Sequence, residues 1–302
     1  MQLTRPRFWA LGLLITLYLV GVLLLSAVTL HEPKTNGFAS RSNEQSQSLL
    51  SSKSKPYRRS RIQWCSDLSY RKVPKESVAL ASFPGSGNTW LRYLLQQATG
   101  TLTGSVYKDY GLLKNGFPAE STTNGSVLVV KTHEWGPLAR KQFQRAVLLV
   151  RAPGPAIQAE FNRQSGGHVG FASPDRYRRM KGKYWRQFVY DKLGAWKKSN
   201  LDWLKNFSGP THVIFYEQLV ENVENTLRSV LEFLQFPVNP GQLKCAVDRQ
   251  EGIYRRKKRV LNFDPFSPEM KARMKKEQEE VYEAIYKIAA PSDNKNNNSN
   301  KK

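Results

Sequence analysis

A glycine-containing loop is the part of this sequence whose residue types and spacing are best suited to chemistry. Residues 82–90 read SFPGSGNTW. Gly85 and Gly87 allow backbone N–H groups to converge on an anion, and a helix that begins directly after the loop adds positive potential there. Side-chain donors come from Ser86, Asn88 and Thr89. We therefore predict that the loop binds a phosphate group. The alternative is an ordinary strand-to-helix turn that contains glycine.

A lysine and a histidine form the second candidate group. Lys131 and His133 belong to the sequence KTHEW, which begins directly after the apolar run SVLVV of residues 126–130. An unperturbed imidazole titrates near pH 6.5, so His133 is suited to act as a general base. Lys131 is suited to stabilise negative charge on a cofactor or in a transition state. A histidine with a purely structural role is the alternative.

Three other residues compete for roles in catalysis. His168, in the stretch QSGGHVGFA, is either a rival base or part of an acceptor loop, whereas His212 begins an apolar run and is expected to pack. Glu134 either replaces or orients the base, or is an ordinary surface carboxylate. The two cysteines and four histidines do not approach the spacing of zinc ligands, so we expect no metal.

The elements that would position these residues alternate between strands and helices. Strands buried on both faces are predicted by continuous apolar runs at residues 78–83, 126–130, 146–150 and 212–216. Helices are predicted by the spacing of apolar residues at 88–98, 225–236 and 269–288, the second of them stopped by Pro237. Strand–loop–helix units of this kind predict a three-layer α/β domain with a central parallel sheet. Nucleotides bind such sheets at the carboxyl ends of the strands.

Two segments resemble the cofactor-binding motifs of sulfotransferases. The glycine loop resembles their 5′-phosphosulfate loop, whose pattern is close to P-[KR]-S-G-[ST]-[ST]-[WF]-L. The matching residues are Pro84, Ser86, Gly87, Thr89, Trp90 and Leu91. VRAP at residues 150–153 resembles the 3′-phosphate signature, which implies that Arg151 binds the 3′-phosphate. The loop lacks the G-K-[ST] ending of ATP- and GTP-binding loops, which argues against a kinase.

A more specific resemblance is to the family of WSC-domain-containing membrane sulfotransferase-like proteins. It is carried by SFPGSGNTW, by KTHEW and by RKKRVLNFDPFSPEM at residues 256–270. Two cysteines are too few for a WSC domain, so the chain resembles a short member with only the catalytic module. The resemblance implies a P-loop-type sulfotransferase domain with PAPS (3′-phosphoadenylyl sulfate) as co-substrate and His133 as the base. The acceptor would be a hydroxyl of a carbohydrate such as a sialylated, acidic glycan. The loop residues that would hold PAPS are Pro84, Gly85, Ser86, Gly87, Asn88, Thr89 and Trp90.

Two positions depart from the sulfotransferase pattern. Gly85 stands where the loop usually has Lys or Arg, so a cation expected near the transferring sulfonate is missing, and Ala159 replaces a usual serine. A lost hydrogen bond to a charged group is worth about 1.5–3 kcal/mol. Arg163 and the basic cluster at residues 255–259 are expected to compensate, with Arg256 and Lys257 closing over the 3′-phosphate. Most charge runs, however, are solvated surface. The two departures motivate the alternative function of a catalytically weak homologue that binds acidic glycans.

The charge and the N-terminal segment indicate where the protein works. The formal net charge of +23 predicts attraction to polyanions. Residues 8–30 carry no charge and are long enough for a transmembrane helix, and they exceed the apolar region of a cleaved signal peptide. Arg5 and Arg7 precede this span, so we expect a single-pass type II membrane protein with a luminal domain. Family members work in the Golgi, which gives the expected compartment. A basic surface in the lumen meets no nucleic acid.

Five segments are expected along the chain. They are a cytosolic N-terminus at residues 1–7, a transmembrane signal anchor at 8–30, a flexible basic stem at 31–75, a sulfotransferase domain at 76–290 and a disordered tail at 291–302. In the oxidising lumen, Cys65 and Cys245 either pair or remain two buried thiols. The acceptor sites for N-glycosylation are Asn124, Asn206 and Asn297.

Overall fold

The computed structural model describes residues 62–256 and 261–289. The predicted anchor at residues 8–30 and the predicted tail at residues 291–302 lie outside these ranges, as do residues 31–61 of the predicted stem. Within the described ranges, no helix is both long enough and apolar enough to cross a lipid bilayer.

A five-stranded parallel sheet lies at the centre of the described domain. Its strands are β1 (Val78–Ser82), β2 (Gly104–Ser105), β3 (Val130–Thr132), β4 (Arg145–Val150) and β5 (Thr211–Phe215). They are arranged in the order β2-β3-β1-β4-β5, and every neighbouring pair is parallel. In the middle strand, Leu80 pairs with Lys131 of β3 and with Val147 of β4. The carboxyl ends of these three strands therefore meet at one edge of the sheet.

Ten helices connect and cover the strands within the described residues. They are α1 (Asn88–Thr99), α2 (Tyr110–Leu113), α3 (Pro137–Arg140), α4 (Pro153–Gly166), α5 (Pro174–Arg178), α6 (Lys183–Lys205), α7 (Tyr216–Glu221), α8 (Val223–Phe233), α9 (Pro240–Asp248) and α10 (Pro268–Ala289).

The helices form a layer on each face of the sheet. Successive residues of a strand point to opposite faces, so Ala79 and Ala81 join a core with α4, α6 and α10. Val78 and Leu80 point the other way and join a second core with α1, α8 and α9. Both faces of the sheet are thus buried, which explains why the strand sequences are continuous apolar runs. The prediction of an α/β fold with a central parallel sheet is confirmed.

Two predicted elements are wrong in their extent. The predicted strand at residues 126–130 is represented only by its last residue, because β3 begins at Val130 and runs on through Thr132. Residues 127–129 are buried, but they are held by irregular pairing in which Leu128 N donates to Leu102 O at 2.8 Å. The predicted helix at 225–236 begins at Val223 and ends at Phe233, because Gln235 has a φ of 50° and turns the chain out of the helix.

A disulfide joins Cys65 to Cys245 of α9, which decides between the two alternatives left by the sequence. The ring of Trp64 lies 5.6 Å from that of Tyr93 in α1, and Arg249 Nη1 donates to Trp64 O at 2.9 Å. The end of the predicted stem therefore packs on α1 and on the segment that follows α9.

Candidate active site

The loop between β1 and α1 is shaped by its two glycines. Gly85 and Gly87 have φ angles of 86° and 99°, which side chains other than glycine rarely adopt. A Cβ atom on Gly87 would lie 2.7 Å from the ring of Tyr216, so this ring packs directly on the loop backbone. Leu91 N donates to Gly87 O at 3.0 Å, so α1 begins at the loop. The N-terminus of a helix at a glycine loop is the arrangement that an anion site requires.

The polar side chains of the loop have different roles. Both N–H groups of the Asn88 amide are used within the domain, by Leu80 O at 2.8 Å and Ser82 Oγ at 3.0 Å. The prediction that this amide donates to a phosphate is therefore corrected, because it anchors the loop to β1. The hydroxyl of Ser86 is buried and has no hydrogen-bond partner among the described residues. A phosphate in the loop would give this hydroxyl the partner that a buried polar group needs.

Arg151 follows β4 and reaches back to the loop. Its Nη1 donates to Gly85 O at 2.9 Å, and its guanidinium lies 4.0 Å from the ring centre of Tyr216. The indole N–H of Trp196 donates to Arg151 O at 2.9 Å, which fixes the backbone here. Burial lowers the pKa of Arg151, but a guanidinium remains protonated in proteins. Its Nε is buried and has no hydrogen-bond partner in the described part of the chain. A buried cation with an unused donor beside a glycine loop fits a phosphate group.

The segment after α9 crosses the start of α1. The indole N–H of Trp90 donates to Gln250 O at 2.7 Å, and the guanidinium of Arg255 lies 5.0 Å from the Trp90 ring. The hydroxyl of Tyr254 donates to Asn115 O. The contacts to Trp90 hold this segment against the start of α1.

Arg256 links this segment to α4. It donates to Ala159 O at 2.9 Å through Nη1 and to Gly167 O at 2.8 Å through Nη2, while its buried Nε has no partner within residues 62–256 and 261–289. Lys257, the other residue predicted to close over the 3′-phosphate, lies outside the described residues. Arg256 thus reaches the position at which Ala159 departs from the sulfotransferase pattern, through the backbone rather than through a side chain.

The candidate base is held in a defined tautomer. Nδ1 of His133 lies 2.8 Å from Ser82 O. A carbonyl oxygen can only accept, so we assign the proton to Nδ1 and a free lone pair to Nε2. Burial, followed by the charge of Lys131, lowers the pKa of His133 to about 3. The imidazole is therefore neutral at pH 7 and can accept a proton at Nε2. An anion bound nearby would raise its pKa and make it a stronger base.

Lys131 lies in β3, two residues before His133, and is almost fully buried. Burial, followed by the charge of Arg92, lowers the pKa of Lys131 to about 8. Arg92 itself forms a buried ion pair with Glu120, in which the atoms are 2.5 Å apart. Because that pair nearly cancels, Lys131 is the net positive charge of the strand end at pH 7. A buried ammonium of this kind is stabilised when an anion binds beside it.

The other candidates for the base have different partners. The carboxylate of Glu134 accepts from the hydroxyl of Tyr107 at 2.7 Å, so the hypothesis that it orients the His133 ring is not supported. Nε2 of His168 lies 2.7 Å from Oδ2 of Asp109, and this pair places His168 beside an orienting carboxylate. Burial lowers the pKa of His168, although Asp109 opposes the shift.

His212 has the packing role that its position in the sequence suggests. Its ring stacks on Phe233 with ring centres 5.3 Å apart, and its Nε2 lies 3.2 Å from Ser229 Oγ.

One cavity of about 720 Å³ brings the main candidates together. The predicted residues in its wall are Gly85, Gly87, Asn88, Thr89, Trp90, Lys131, His133, Arg151 and Arg256, and it also includes Arg163 and His168. Pro84 and Ser86 belong to the loop but are not part of the wall. The volume is in the range of sites for small molecules and cofactors. No group of His, Cys, Asp and Glu that could hold a metal ion occurs in the described part of the chain.

Sequence reasoning misses several residues of the site. Asp109, which orients His168, also caps α2 by accepting from Leu112 N, and an aspartate before a short helix was its only signal. Tyr216 stands in the FYEQL segment but gave no sign that its ring covers Gly87. Glu160 gave no signal at all, because a glutamate within a helix is ordinary until its burial is known.

Two of the three glycosylation acceptors are exposed. Asn124 and Asn206 lie at the surface, and Oδ1 of Asn124 accepts from both N and Oγ of Ser126 at 3.1 and 2.6 Å. Asn297 lies outside the described residues.

Three curated insect proteins are similar to this chain over almost its whole length. A WSCD family member of Aedes aegypti is 53% identical over 316 residues, which cover 94% of this chain and 98% of the relative. WSCD family members of Drosophila melanogaster and Drosophila pseudoobscura pseudoobscura are each 50% identical, and they cover 93% and 94% of this chain and 98% of their own length. No family model matches the chain.

Solved structures with a similar arrangement of elements are distant in sequence. A mouse sulfotransferase complexed with PAP is 15% identical, covers 73% of this chain and 91% of its own, and has a TM-score of 0.47. A sulfotransferase from Alicyclobacillus acidocaldarius is 12% identical, covers 72% and 96%, and has a TM-score of 0.41. Retinol dehydratase in complex with androsterone and PAP is 12% identical, covers 74% and 83%, and scores 0.37. Scores below 0.5 are too low to support a shared function.

Proposed function

Since this chain belongs to the WSCD family, we propose that it is a sulfotransferase that moves a sulfonate group from PAPS to a hydroxyl of a carbohydrate. One observation carries the proposal. Three separate segments of the sequence, which hold the glycine loop, the pair Lys131 and His133, and Arg151, line one cavity at the carboxyl ends of the strands. Each resembles a sulfotransferase motif, and their meeting at one site is what the chemistry of sulfonate transfer requires.

Different residues of the cavity would bind the two ends of the co-substrate. PAPS supplies an activated sulfonate when it is bound. The loop N–H groups and Thr89 would hold its 5′-phosphosulfate, since they lie at the N-terminus of α1. Arg151 and Arg256 would hold the 3′-phosphate, because each keeps a buried, unpartnered Nε in or beside the cavity wall.

The base and the lysine would act on the acceptor and on the leaving group. Nε2 of His133 would take the proton of the acceptor hydroxyl, whose oxygen would then bond to the sulfur supplied by PAPS as the phosphate leaves with the electron pair of the sulfur–oxygen bond. Lys131 stabilises the charge that builds up on this side, and its depressed pKa returns toward the ordinary value as it does so. The His133 pKa rises in the same field.

The acceptor and the compartment follow from the family resemblance and from the charge. We propose an acidic glycan, such as a sialylated one, because a net charge of +23 attracts polyanions. We also propose that residues 8–30 anchor the protein in the Golgi membrane as a single-pass type II protein. Exposed Asn124 and Asn206 are compatible with a luminal domain.

The test is calorimetric titration of the full-length chain, purified in detergent, with PAP. We expect micromolar binding, about −8 kcal/mol, which is lost in Arg151→Ala. The matched control is Arg228→Ala, because Arg228 pairs with Glu224 on the exposed face of α8 and is not part of the cavity. Binding that survives in Arg151→Ala would assign the 3′-phosphate site to other residues.

A second function is favoured by the absence of a side chain at Gly85. A homologue without transferase activity would bind acidic glycans and would not need PAPS. Wild-type protein that is folded and shows no affinity for PAP would refute the transferase and support this alternative.

A further inference from the structure

The loop has no room for the cation that sulfotransferase loops carry at the position of Gly85. A Cβ atom at Gly85 would lie 2.2 Å from Ala156 O and 2.8 Å from Glu160 N, which are both backbone atoms of α4. Such distances are far inside van der Waals contact, and backbone atoms of a helix cannot move aside cheaply. The helix α4 therefore occupies the space into which a lysine or arginine side chain at position 85 would extend.

The same helix presents a fixed arginine to the cavity. Arg163 follows Glu160 by three residues, and the two side chains form two hydrogen bonds, Nε to Oε2 at 2.7 Å and Nη2 to Oε1 at 2.8 Å. Glu160 is only 2% exposed and also accepts from Gln164 Nε2 at 2.8 Å. A buried carboxylate held in this way fixes the guanidinium in one orientation.

One edge of this guanidinium remains available. Glu160 engages the edge formed by Nε and Nη2, which leaves Nη1 and the second N–H of Nη2 for another acceptor. Within the described residues, Arg163 lies in the cavity wall with Lys131 and His133, and its side chain is 45% exposed. The end edge of an arginine binds two oxygens of a planar or tetrahedral oxyanion at once.

The charge of Arg163 also reaches the proposed catalytic groups. It is one of the smaller causes that lower the pKa of Lys131, of His133 and of His168, whose side chains line the same cavity. Arg151 and Arg256, by contrast, bond to backbone carbonyls at the loop and at α4. Arg163 thus shares the cavity wall with the groups proposed to act at the reacting end, and its bonded partner Glu160 is a side chain.

We propose that Arg163, positioned by Glu160, replaces the cation missing at Gly85 and binds oxygens of the sulfonate that is transferred. This inference rests on the proposed function, because it assumes that PAPS binds in the cavity. The carboxylate of an acidic acceptor is a second oxyanion that an arginine binds in the same way. The experiment distinguishes this carboxylate from the transferred sulfonate.

The experiment compares the affinity of full-length protein for PAPS and for PAP, which differ only in the sulfonate, without any acceptor. Arg163→Gln is expected to weaken PAPS binding about tenfold and PAP binding less than twofold. Retained PAP affinity shows in the same titration that the variant is folded. The control Arg228→Gln removes an arginine from a similar Arg–Glu pair and should change neither affinity.

Glu160→Gln tests the positioning role. The variant keeps the charge of Arg163 but loses its fixed partner, so PAP should bind as well as before while the ratio of PAPS to PAP affinity falls. A merely structural role of Glu160 would lower both affinities together, with a lower unfolding temperature. Should Arg163→Gln fail to fold, as shown by the loss of a cooperative unfolding transition, Arg163→Lys provides the second variant, and a threefold loss confined to PAPS is expected.

The outcomes are separable from those of the proposed function. Equal losses for PAPS and PAP would show that Arg163 binds a phosphate, and no loss for either would assign it to the acceptor, so both results overturn the inference. A wild-type protein that binds neither compound refutes the sulfotransferase itself. Wild-type binding of both, with an unchanged ratio in Arg163→Gln, refutes only the role of Arg163.

Discussion

The buried ammonium of Lys131 makes cofactor affinity depend on pH in a defined window. Burial lowers the pKa of Lys131 to about 8, so the charged fraction falls from about 0.9 at pH 7 to about 0.1 at pH 9. A bound polyanion requires the charged form and raises its pKa. The affinity for PAP should therefore fall about tenfold, or about 1.4 kcal/mol, between pH 7 and pH 9. Below pH 7 Lys131 is almost fully protonated, so it causes no further change in the affinity for PAP.

The assay is titration of the full-length chain with PAP at half-unit steps from pH 7 to pH 9.5. Lys131→Met keeps the length of the side chain and removes the charge, so its affinity at pH 7 should already be near that of wild type at pH 9 and should stay flat. Other groups that titrate in this range are present in both proteins and cancel in the comparison. A wild-type affinity that does not change up to pH 9, or a parallel decline in Lys131→Met, would refute the assignment of Lys131 to the anion site.

Three further changes test other parts of the structure. Gly85→Ala should lower the unfolding temperature and abolish PAP binding. The new Cβ would lie 2.2 Å from Ala156 O, and a φ of +86° costs a residue with a side chain about 1–3 kcal/mol. Unaltered PAP binding in calorimetry would contradict the close approach of α4. His133→Asn should flatten the pH dependence of stability. In the wild type the pKa of this imidazole is lowered to about 3, below its value near 6.5 in the unfolded chain. The free energy of unfolding therefore stays constant above about pH 6.5 and falls by at most about 1.4 kcal/mol per pH unit as the pH decreases toward 3. Urea unfolding of both proteins from pH 4 to pH 7 measures the difference. Replacing Cys65 and Cys245 by serine should lower the free energy of unfolding by up to about 5 kcal/mol, because the bond closes a loop of 180 residues; equal unfolding with and without reductant would show that the bond is not formed.

The sequence predicts the parts of the fold that depend on local pattern. The apolar runs that became β1, β4 and β5 were found because strands buried on both faces have no alternation to obscure them. The helix α6 was missed although Trp185, Val189 and Leu193 recur every four residues and are buried. Its other positions are polar and charged, so the mean composition of the segment hides the narrow apolar stripe.

The sequence predicts those residues of the candidate site that belong to short contiguous motifs. The loop and Arg151 belong to short motifs, and the histidine follows its strand directly. The orienting partners could not be found in this way. Asp109 and Glu160 act because folding brings them against His168 and Arg163, and such contacts are a property of the tertiary structure. The same holds for Asn88, whose type suggested a phosphate donor and whose neighbours make it a structural anchor.

One of the two departures from the sulfotransferase pattern, Gly85, has a structural cause. The backbone of α4 lies so close to the loop that Gly85 cannot carry a side chain, and the same close helix offers Ala159 O to Arg256. Positive charge near α4 comes from Arg256, which meets the helix from another element, and from Arg163, which projects from it. Restoring lysine at Gly85 alone would push α4 away and disturb Arg256 and Arg163 together. The lack of a cation in the loop therefore does not leave the cavity without positive charge, because Arg151, Arg163 and Arg256 line its wall.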